Sequence, residues 1–391
     1  MRDGNITKSY KSVFKKTKQR LLKKQIYGFD IETCDDNKTF LCCSIYGENY
    51  EKFCFTKEEF IKEISKKRFE NSYIVASNLS FDYFGIFFDT EAEQKFNTLF
   101  RGSDLICSET YCYKGEFSAV RQDKNAHKRI FIDTYNYMRM SVEKMGYVVG
   151  HSKLEKPEFL GQRPKNKEEW DILLKYNMQD SKVTYNFIKY LFEGFEILGA
   201  TVKKTIGSTT MSLFKNKYLD MEIFQPSDDI LLEQFESYYG GRTEAFKRGY
   251  FQDANYYDFN SLYPSVMHDN LFPDPNSLHI THKNTKEYIE NYEGCSHVKI
   301  YVPETLKIPI LPLRHEGKLL FPTGNVEGWY THVEIRKAMS EGCVLMEVKK
   351  THYFTKTCTP FKKFTEDLYK KRSQYKEQGS ELELIVKLLM N

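Results

Sequence analysis

The first half of the chain carries two kinds of hydrophobic period. Two short apolar runs are typical of strands: QIYGFDIET begins at Gln25 and TFLCCSIYG begins at Thr39. The polar stretch KEEFIKEISKKRFE that follows is typical of a helix, and SYIVASNL then predicts another strand. Glu168–Leu198 keeps a helical period up to its end near Gly199. Because strands alternate with helices, the pattern predicts an α/β layer with a mixed sheet that ends near residue 200.

The second half of the chain is richer in turns. ANYYDFNSLYP predicts a strand, and Pro264 is well placed to open the helix that follows. Proline and glycine are frequent through 271–330 and predict a β-rich subdomain inserted there. The residues from Phe361 onward have helical character with a break near Gly379. The whole pattern therefore predicts an α/β and α+β protein with more than one domain.

Composition agrees with a folded protein of two or three domains. The 391 residues are 40% hydrophobic and 15% aromatic, and this length exceeds what one core usually serves. The net charge of +4 permits nucleic-acid binding without requiring it, since local patches matter more than the total. The nine cysteines form no CxxC pair, which favours reduced thiols in an intracellular protein over a zinc site. No apolar run is long enough for a membrane span, and a signal peptide is not expected.

The first 24 residues form a basic segment. Its lysine and arginine side chains are able to contact a phosphate backbone, but a solvated, partly disordered arm is the favoured interpretation. We therefore predict a basic N-terminal arm that precedes the folded layer.

Two acidic residues lie two positions apart in the first predicted strand. Asp30 and Glu32 share one face of a strand, where like charges repel unless a divalent metal neutralises them. A solvated edge strand is the alternative, since acidic pairs at this spacing are common. Oxygen-only ligands favour Mg²⁺ or Mn²⁺ over zinc.

Three further residues extend this acidic pair. Asp82 follows an apolar strand, where the chain leaves the end of a sheet and ligands often bind. Tyr176 and Asp180 lie four residues apart and share a face of the long predicted helix. Each also has an alternative explanation when taken alone: Asp82 as a turn residue, Tyr176 as a packed phenol and Asp180 as a surface charge. Together with Asp30 and Glu32 they suit a two-metal hydrolase, in which the phenol orients the attacking water.

The order and spacing of these residues resemble the three exonuclease motifs of family-B DNA polymerases. FDIET matches the first motif, Asn78 to Asp82 the second, and Tyr176 to Asp180 the third. The resemblance implies a 3′–5′ exonuclease whose two metals are held by Asp30, Glu32, Asp82 and Asp180, with Tyr176 positioning water. It also implies contacts to single-stranded DNA from Asn78, Phe81 and one lysine of KLEKPEF, either Lys153 or Lys156.

YYDFNSLYPSVM is the most specific sequence signal in the chain. Taken alone, it describes a strand–turn–helix junction in which Asp258 ends the strand. It resembles motif A of the same polymerase family, which implies that Asp258 binds both catalytic Mg²⁺ ions. The resemblance further implies that the incoming nucleotide is held by Phe259, Asn260, Ser261, Leu262 and Tyr263. Tyr263 would stack below the deoxyribose and exclude ribonucleotides.

Two other segments are interpreted beside motif A. SYYGGRTEAF contains paired glycines, which permit close approach to DNA and a positive φ. It resembles the family's YxGG element, which implies DNA contacts from Tyr239, Gly240, Gly241 and Arg242. The cations of the last two predicted helices are also explained as solvated charges. Beside motif A, however, these two segments resemble the fingers, and Lys387 with Asn391 matches the KxxxN start of motif B. That resemblance implies nucleotide binding by Arg372, Lys376, Lys387 and Asn391.

The second palm aspartate of the family, from motif C, and the thumb have no counterpart in these 391 residues. With one carboxylate of two, the metals of a polymerase site would be poorly held, so we expect no primer extension by this chain alone. A split polymerase completed by a second polypeptide, an extein-like piece and a truncated gene stay open as explanations. The alternative function is a stand-alone exonuclease with a remnant palm that binds DNA.

The compact exonuclease segment and YYGGR resemble the protein-primed branch of the family, which replicates viral and linear plasmid genomes. This resemblance implies four partners: primer–template DNA, a single-stranded 3′ end, a deoxynucleoside triphosphate and a terminal protein. The implied fold is an RNase H-like exonuclease domain, a partial palm with an inserted β-rich subdomain, and the first helices of the fingers. We predict boundaries at 1–24 for the arm, 25–200 for the exonuclease, 201–270 for the palm, 271–355 for the insertion and 356–391 for the fingers.

Overall fold

The computed structural model describes residues 11–36, 39–88 and 90–390. The strands of these described residues are β1 Ser12–Phe14, β2 Ile26–Thr33, β3 Phe40–Gly47, β4 Tyr50–Cys54, β5 Ser72–Ala76, β6 Asn97–Arg101, β7 Asp104–Tyr113, β8 Glu116–Ser118, β9 His127–Asp133, β10 Ile223–Gln225, β11 Phe272–Pro273, β12 Leu278–Thr281, β13 Glu293–Val302, β14 Leu313–His315, β15 Lys318–Leu320, β16 Gly324–Thr331, β17 Val344–Phe354 and β18 Thr357–Cys358. Their α-helices are α1 Lys57–Ile64, α2 Leu79–Phe87, α3 Val142–Val148, α4 Lys167–Leu198, α5 Ile206–Leu213, α6 Asp228–Glu236, α7 Leu262–Asp269, α8 Glu287–Asn291, α9 His332–Ser340, α10 Lys362–Glu377 and α11 Leu382–Met390.

The chain divides into two compact units. The first unit comprises Thr17–Lys217 and Asp367–Asn391, and the second comprises Met1–Lys16 and Tyr218–Glu366, each as far as its residues are described. The five-part division made from the sequence stays a prediction. No helix in the described residues combines the length and the apolar character needed to cross a membrane.

The first unit is built on an eight-stranded mixed sheet. Its strand order is β4-β3-β2-β5-β9-β7-β6, with β8 paired to β7. β2 runs antiparallel to β3 and parallel to β5, and β5 runs parallel to β9. Rings from β2, α1, α2 and β9 fill one face of this sheet, where Phe29, Phe60, Phe87 and Phe131 are fully buried. The strands predicted from Gln25 and Thr39 are therefore confirmed to within one residue at their starts.

The long helix α4 covers the opposite face of β2 and β3. Its first turn is capped by Asn166, whose side chain accepts the N–H of Glu169, and the helix ends at Gly199 in the left-handed conformation. The predicted helix Glu168–Leu198 is confirmed, with one more residue at its start. A Cβ built on Gly28 of β2 would lie only 2.2 Å from the carbonyl oxygen of Ser181. The strand and helix backbones approach this closely because position 28 has no side chain.

The two C-terminal helices also belong to the first unit from Asp367 onward. α10 and α11 are separated near Gly379, which has a φ of 62°, so the predicted break is confirmed. α11 packs on α4 at another glycine, since a Cβ on Gly194 would lie 2.9 Å from Ile385 Cγ1. Small residues thus set the distance between α4 and its neighbours on two sides.

The second unit contains a four-stranded antiparallel sheet. Its order is β12-β17-β13-β16, and α8 and α9 pack beside it. Val298, Ile300, Tyr330, Ile335 and Val348 form its buried core. Two short antiparallel pairs, β14 with β15 and β11 with β18, lie in the same turn-rich part of the chain. The expected β-rich character of this segment is therefore observed.

One prediction about local backbone structure is wrong. ANYYDFNSLYP forms no strand, and α7 already begins at Leu262, with Pro264 inside its first turn. A strand needs an edge to pair with, and the segment finds none among the described residues. Gly240 and Gly241 are not among the glycines with a positive φ, so the conformation that glycine permits is not used at these two positions.

The predicted arm is largely exposed from residue 11 onward, but the described part of it is ordered by hydrogen bonds. Ser12–Phe14 pairs with Ile223–Gln225 in the second unit. In the first unit, the Gln19 side chain donates to the Glu196 carbonyl oxygen at 2.7 Å, and the Arg20 N–H donates to Thr201 Oγ1 at 3.0 Å. The backbone and amide groups of this basic segment supply hydrogen bonds that its charge pattern does not reveal. Residues 1–10 of the predicted arm lie outside the described residues.

Candidate active site

The middle of β2 carries the acidic pair. Asp30 and Glu32 share the strand face of Gly28, toward α4, while Phe29 and Ile31 point into the aromatic core. The parallel strand β5 pairs with β2 only as far as Gly28. The edge of β2 beside the acidic pair is therefore left uncovered by β5, and another element can reach it.

Asp82 reaches this uncovered edge from the first turn of α2. Its Oδ1 accepts a hydrogen bond from the backbone N–H of Ile31 at 3.0 Å, and its side chain is buried. α2 follows Asn78, which has a left-handed backbone with a φ of 65°. Asn78 and Phe81 stay exposed at this helix start. The structure thus brings the second motif to the first, with its two predicted DNA contacts on the surface.

Asp133 is a site residue that the motifs do not include. It ends β9, and its carboxylate accepts the N–H groups of Asn78 at 3.2 Å, Leu79 at 2.8 Å and Tyr135 at 2.8 Å. A negative charge is favourable at the start of a helix such as α2. Asp133 therefore orients the helix that carries Asp82. Like Asp82, Asp133 stands at the end of an apolar run in the sequence, so the same pattern could have identified it.

The third motif lies on α4, on the side that faces β2. Tyr176 and Asp180 are one turn apart, and both are buried. Asn177 lies between them and donates from Nδ2 to Asp30 Oδ2 at 2.7 Å, and it also hydrogen-bonds the Glu32 side chain. The motif pattern does not identify Asn177, because it specifies only the tyrosine and the aspartate four residues later.

Of the two candidate lysines, Lys153 engages the acidic cluster directly. Its Nζ lies 2.5 Å from Asp180 Oδ2 and 5.0 Å from the centre of the Tyr176 ring. Lys156 is exposed, and its charge is near enough to oppose the rise that burial causes in the pKa of Glu32. The role of either lysine in binding a phosphate stays a prediction.

The carboxyl groups of this cluster resist ionisation together. Burial raises the pKa of Asp30, and the charges of Asp82, Glu32 and Asp180 raise it further. Burial likewise raises the pKa of Glu32 to about 7, with a further contribution from Asp180. Burial also raises the pKa of Asp82 and of Asp180, although Lys153 partly opposes the rise at Asp180. Several buried acids with one lysine leave an excess of negative charge in the ionised cluster, which favours protons or cations.

The donor set suits divalent cations. All four side chains offer oxygen atoms, which are the ligands that Mg²⁺ and Mn²⁺ prefer. Asp180 Oδ1 is buried and has no hydrogen-bond partner among the described residues. Such an orphaned carboxylate oxygen is costly unless a cation or proton satisfies it. No group of three His, Cys, Asp or Glu residues in the described chain already has metal-binding geometry, so these side chains would need to adjust on binding.

The motif A residues lie in the second unit and are largely exposed. Asp258 and Asn260 are exposed, Phe259 is 77% exposed and Tyr263 is 70% exposed. Ser261 has a left-handed backbone with a φ of 53°, directly before α7 begins at Leu262. The structure presents these predicted nucleotide contacts on an open surface.

The YxGG element lies close to motif A. A Cβ built on Gly241 would lie 3.4 Å from the Tyr263 hydroxyl, whereas Gly240 faces open space. Tyr239 is half-buried, and its ring stacks on Tyr330 with 6.0 Å between the centroids. Arg242 donates to the Pro309 carbonyl oxygen at 2.6 Å and to Glu244 Oε2 at 2.7 Å. These contacts hold the element in the second unit, while its contact to DNA stays a prediction.

The predicted fingers cations lie on α10 and α11. Arg372 Nε donates to Glu383 Oε1 at 2.7 Å, so this guanidinium already has an anionic partner. Lys376 and Lys387 are exposed. Asn391 lies outside the described residues. The expectation that these cations converge on one triphosphate stays a prediction.

Comparison with known proteins gives a consistent result. The family model described as "DNA polymerase type B, organellar and viral" matches residues 10–391. A "Probable DNA polymerase" of Podospora anserina is 30% identical over 210 residues, which are 53% of this chain and 16% of that protein. The "DNA-directed DNA polymerase" of Enterobacteria phage PRD1 is 27% identical over 201 residues, which are 49% of this chain and 32% of that protein. The matched part is thus less than a third of the length of these curated relatives.

A solved polymerase structure shares the fold. Phi29 DNA polymerase, in a ternary complex with primer-template DNA and incoming nucleotide substrates, aligns with a TM-score of 0.67 and 17% sequence identity. The alignment covers 95% of this chain and 67% of that chain. At this identity the likeness shows the fold alone, and the predicted multidomain α/β and α+β class is confirmed.

Proposed function

The chain belongs to the type B DNA polymerases of organelles and viruses, as its motifs predicted, and we propose that its first unit is the 3′–5′ exonuclease of such a polymerase. The observation that carries the proposal is the convergence of four carboxylates from three elements. Asp30 and Glu32 come from β2, Asp82 from α2 and Asp180 from α4. A structural ion cluster would pair such buried acids with basic groups, whereas here Lys153 alone forms an ion pair with them in the described chain.

These four carboxylates would hold the divalent cations, Mg²⁺ or Mn²⁺, that the chemistry requires. When bound, such cations activate a water for attack on the phosphodiester and stabilise the charge on the leaving 3′-oxygen. The fit rests on the all-oxygen donor set and on the unpartnered Asp180 Oδ1.

The remaining side chains of the cluster bind and orient the reactants. Tyr176 presents its phenol on the same helix face as Asp180, where its hydroxyl orients the attacking water. Lys153 holds Asp180 in place and adds a positive charge beside the position of the scissile phosphate. Asn78 and Phe81, exposed at the start of α2, contact the single-stranded 3′ end, with Phe81 offering a ring on which a base stacks.

Degradation of a 3′-labelled single strand by the purified chain tests this function. We expect degradation that requires Mg²⁺ and that disappears in the Asp30→Ala, Glu32→Ala double variant. The double variant removes two acids that repel their neighbours, so it should remain folded. Degradation that persists in the folded double variant would contradict the proposed site.

For the second unit we propose the polymerase function of the family. Asp258 would bind the metals of primer extension, and Phe259, Asn260, Ser261, Leu262 and Tyr263 would hold the deoxynucleoside triphosphate. Tyr239, Gly240, Gly241 and Arg242 would contact the primer–template. The proximity of Gly241 to Tyr263 supports a joint role for the two motifs.

We also propose that this polymerase function is protein-primed and is completed by residues outside these 391. The β-rich segment 271–355 would contact a terminal protein. A second polypeptide or further segment would supply the second palm aspartate and the thumb. Primer-extension assays of the chain alone, and of the chain mixed with a candidate second polypeptide, distinguish this proposal from a stand-alone exonuclease.

A further inference from the structure

The basic N-terminal segment forms one wall of a groove in the first unit. The groove has a volume of about 760 Å³, and its cations are Arg20, Lys23, Lys24, Lys203 and Lys204. We refer to it as the basic groove, defined by these five residues. The first three come from the segment before β2, and the last two come from the segment after α4. Two distant parts of the sequence thus place like charges along one concavity.

Hydrogen bonds hold the two walls of the basic groove in a fixed relation. The Gln19 amide donates to the carbonyl oxygens of Glu196 and Ala200 at the end of α4. The Arg20 N–H donates to Thr201 Oγ1, and the Lys203 N–H donates to Thr209 Oγ1 at 3.1 Å. The backbone that carries the cations is therefore ordered before any ligand binds, so binding does not have to order it.

Carboxylates compensate part of the charge of the basic groove, since Lys204 pairs with Glu109 and a neighbouring cavity lined by Lys23 and Lys24 includes Glu193 and Glu196. The lining residues of the basic groove itself in the described chain include five cations and no carboxylate. The nearby Glu109 is shared between Lys204 at 2.8 Å and Lys128 at 3.0 Å. Burial lowers the pKa of Lys24, and the positive charges of Lys128 and Lys204 lower it further. Cations held together in this way favour an anionic ligand that relieves their repulsion.

The basic groove is separate from the exonuclease carboxylates. Lys24 precedes the first residue of β2, whereas Asp30 lies six positions further along, a span of about 20 Å in an extended chain. Lys203 follows the C-terminal end of α4, and that end is itself eighteen residues beyond Asp180. The basic groove therefore lies beyond the N-terminal end of β2 and the C-terminal end of α4, away from the carboxylates within these two elements.

We propose that the basic groove binds the phosphate backbone of a single-stranded nucleic acid, as a second contact surface remote from the exonuclease site. Five cations on two ordered segments supply the positive charge that binding of a phosphate backbone requires. Leu21, which is 64% exposed between Arg20 and Lys23, offers an apolar surface for a base. The choice of nucleic acid over an acidic peptide rests on the membership of the chain in a DNA polymerase family.

Oligonucleotide binding measured over a series of salt concentrations tests the proposal. The test variant is Lys23→Gln with Lys203→Gln, which removes one exposed cation from each wall. The control is Lys114→Gln with Lys124→Gln, which removes two exposed lysines that do not line the basic groove. Binding of a long fluorescent oligothymidylate is followed by anisotropy in EDTA, so that no strand is degraded. Degradation of a trinucleotide in Mg²⁺ is measured separately, because it is too short to reach both sites.

We expect the test variant to bind the long strand about tenfold more weakly at low salt than the control. Its slope of log K against log salt should be shallower by about 1.4, or ~0.7 for each phosphate that the variant no longer neutralises. Its trinucleotide degradation should match the control. Equal affinity and slope in the two variants would overturn the proposal. So would a weaker affinity for polyglutamate with an unchanged affinity for the oligonucleotide, which would assign the groove to an acidic protein. Failure of trinucleotide degradation in every protein would instead contradict the proposed exonuclease.

Discussion

The replacement Gly28→Ala tests whether the packing of α4 on β2 sets the geometry of the proposed exonuclease site. The added Cβ would lie 2.2 Å from the Ser181 carbonyl oxygen and 2.9 Å from the Tyr185 backbone nitrogen. Both neighbours are helix backbone, which cannot rotate away as a side chain can. Strand and helix must therefore separate by about 1 Å before the contact becomes tolerable.

The same helix carries the residues that meet the acidic pair. Asn177 and Asp180 lie on the turn of α4 that packs here, and the Asn177 hydrogen bond to Asp30 is 2.7 Å long. A displacement of about 1 Å breaks that bond and separates Asp180 from Asp30. A misplacement of this size costs on the order of 100-fold in rate, and overpacking of a core costs about 1–3 kcal/mol of stability.

We expect Gly28→Ala to lower Mg²⁺-dependent degradation of a single strand about 100-fold and to lower the melting temperature. Gly207→Ala is the matched control, because a Cβ there meets nothing within 4 Å and the residue lies inside α5. That control should keep full activity and equal or higher stability, since alanine is the better helix former. A Gly28→Ala protein with unchanged activity and stability would refute the packing argument.

Three further predictions concern individual groups. Lys153→Ala leaves the Asp180 carboxylate buried without its ion pair, which should cost roughly 3 kcal/mol in the free energy of unfolding in EDTA, with Lys153→Arg close to wild type. Burial raises the pKa of Glu32 from 4.5 to about 7, so the folded protein binds this proton more tightly than the unfolded chain. The melting temperature in EDTA should therefore fall as pH rises from about 4.5 to about 7, and Glu32→Gln should flatten that fall; a rise over this range would contradict the assigned burial. Primer extension by the isolated chain should be absent, and robust extension that depends on Asp258 would disprove the need for further residues.

Local patterns were sufficient for the elements and for most of the acidic cluster. The period of two in QIYGFDIET places Asp30 and Glu32 on one face whatever the strand packs against. The helical period of α4 likewise places Tyr176 and Asp180 together. These relations depend on backbone geometry within one element, so the sequence alone determined them. The motif order also determined the family.

The tertiary structure decided which elements meet and which side chains find partners. Because β5 pairs with β2 only as far as Gly28, the following edge of β2 is open to Asp82. Asp133 and Asn177 act through residues far away in the sequence, and the choice of Lys153 over Lys156 at Asp180 depends on the path of an irregular segment.

The basic segment and motif A show the same division. The basic segment has the charge pattern of a solvated arm, but hydrogen bonds to the end of α4 place it along one wall of a groove. ANYYDFNSLYP has the composition of a strand, but it pairs with no strand among the described residues. Periodicity records what one element prefers by itself. Pairing, burial and charge compensation are properties of two or more segments, and so only the folded chain could decide them.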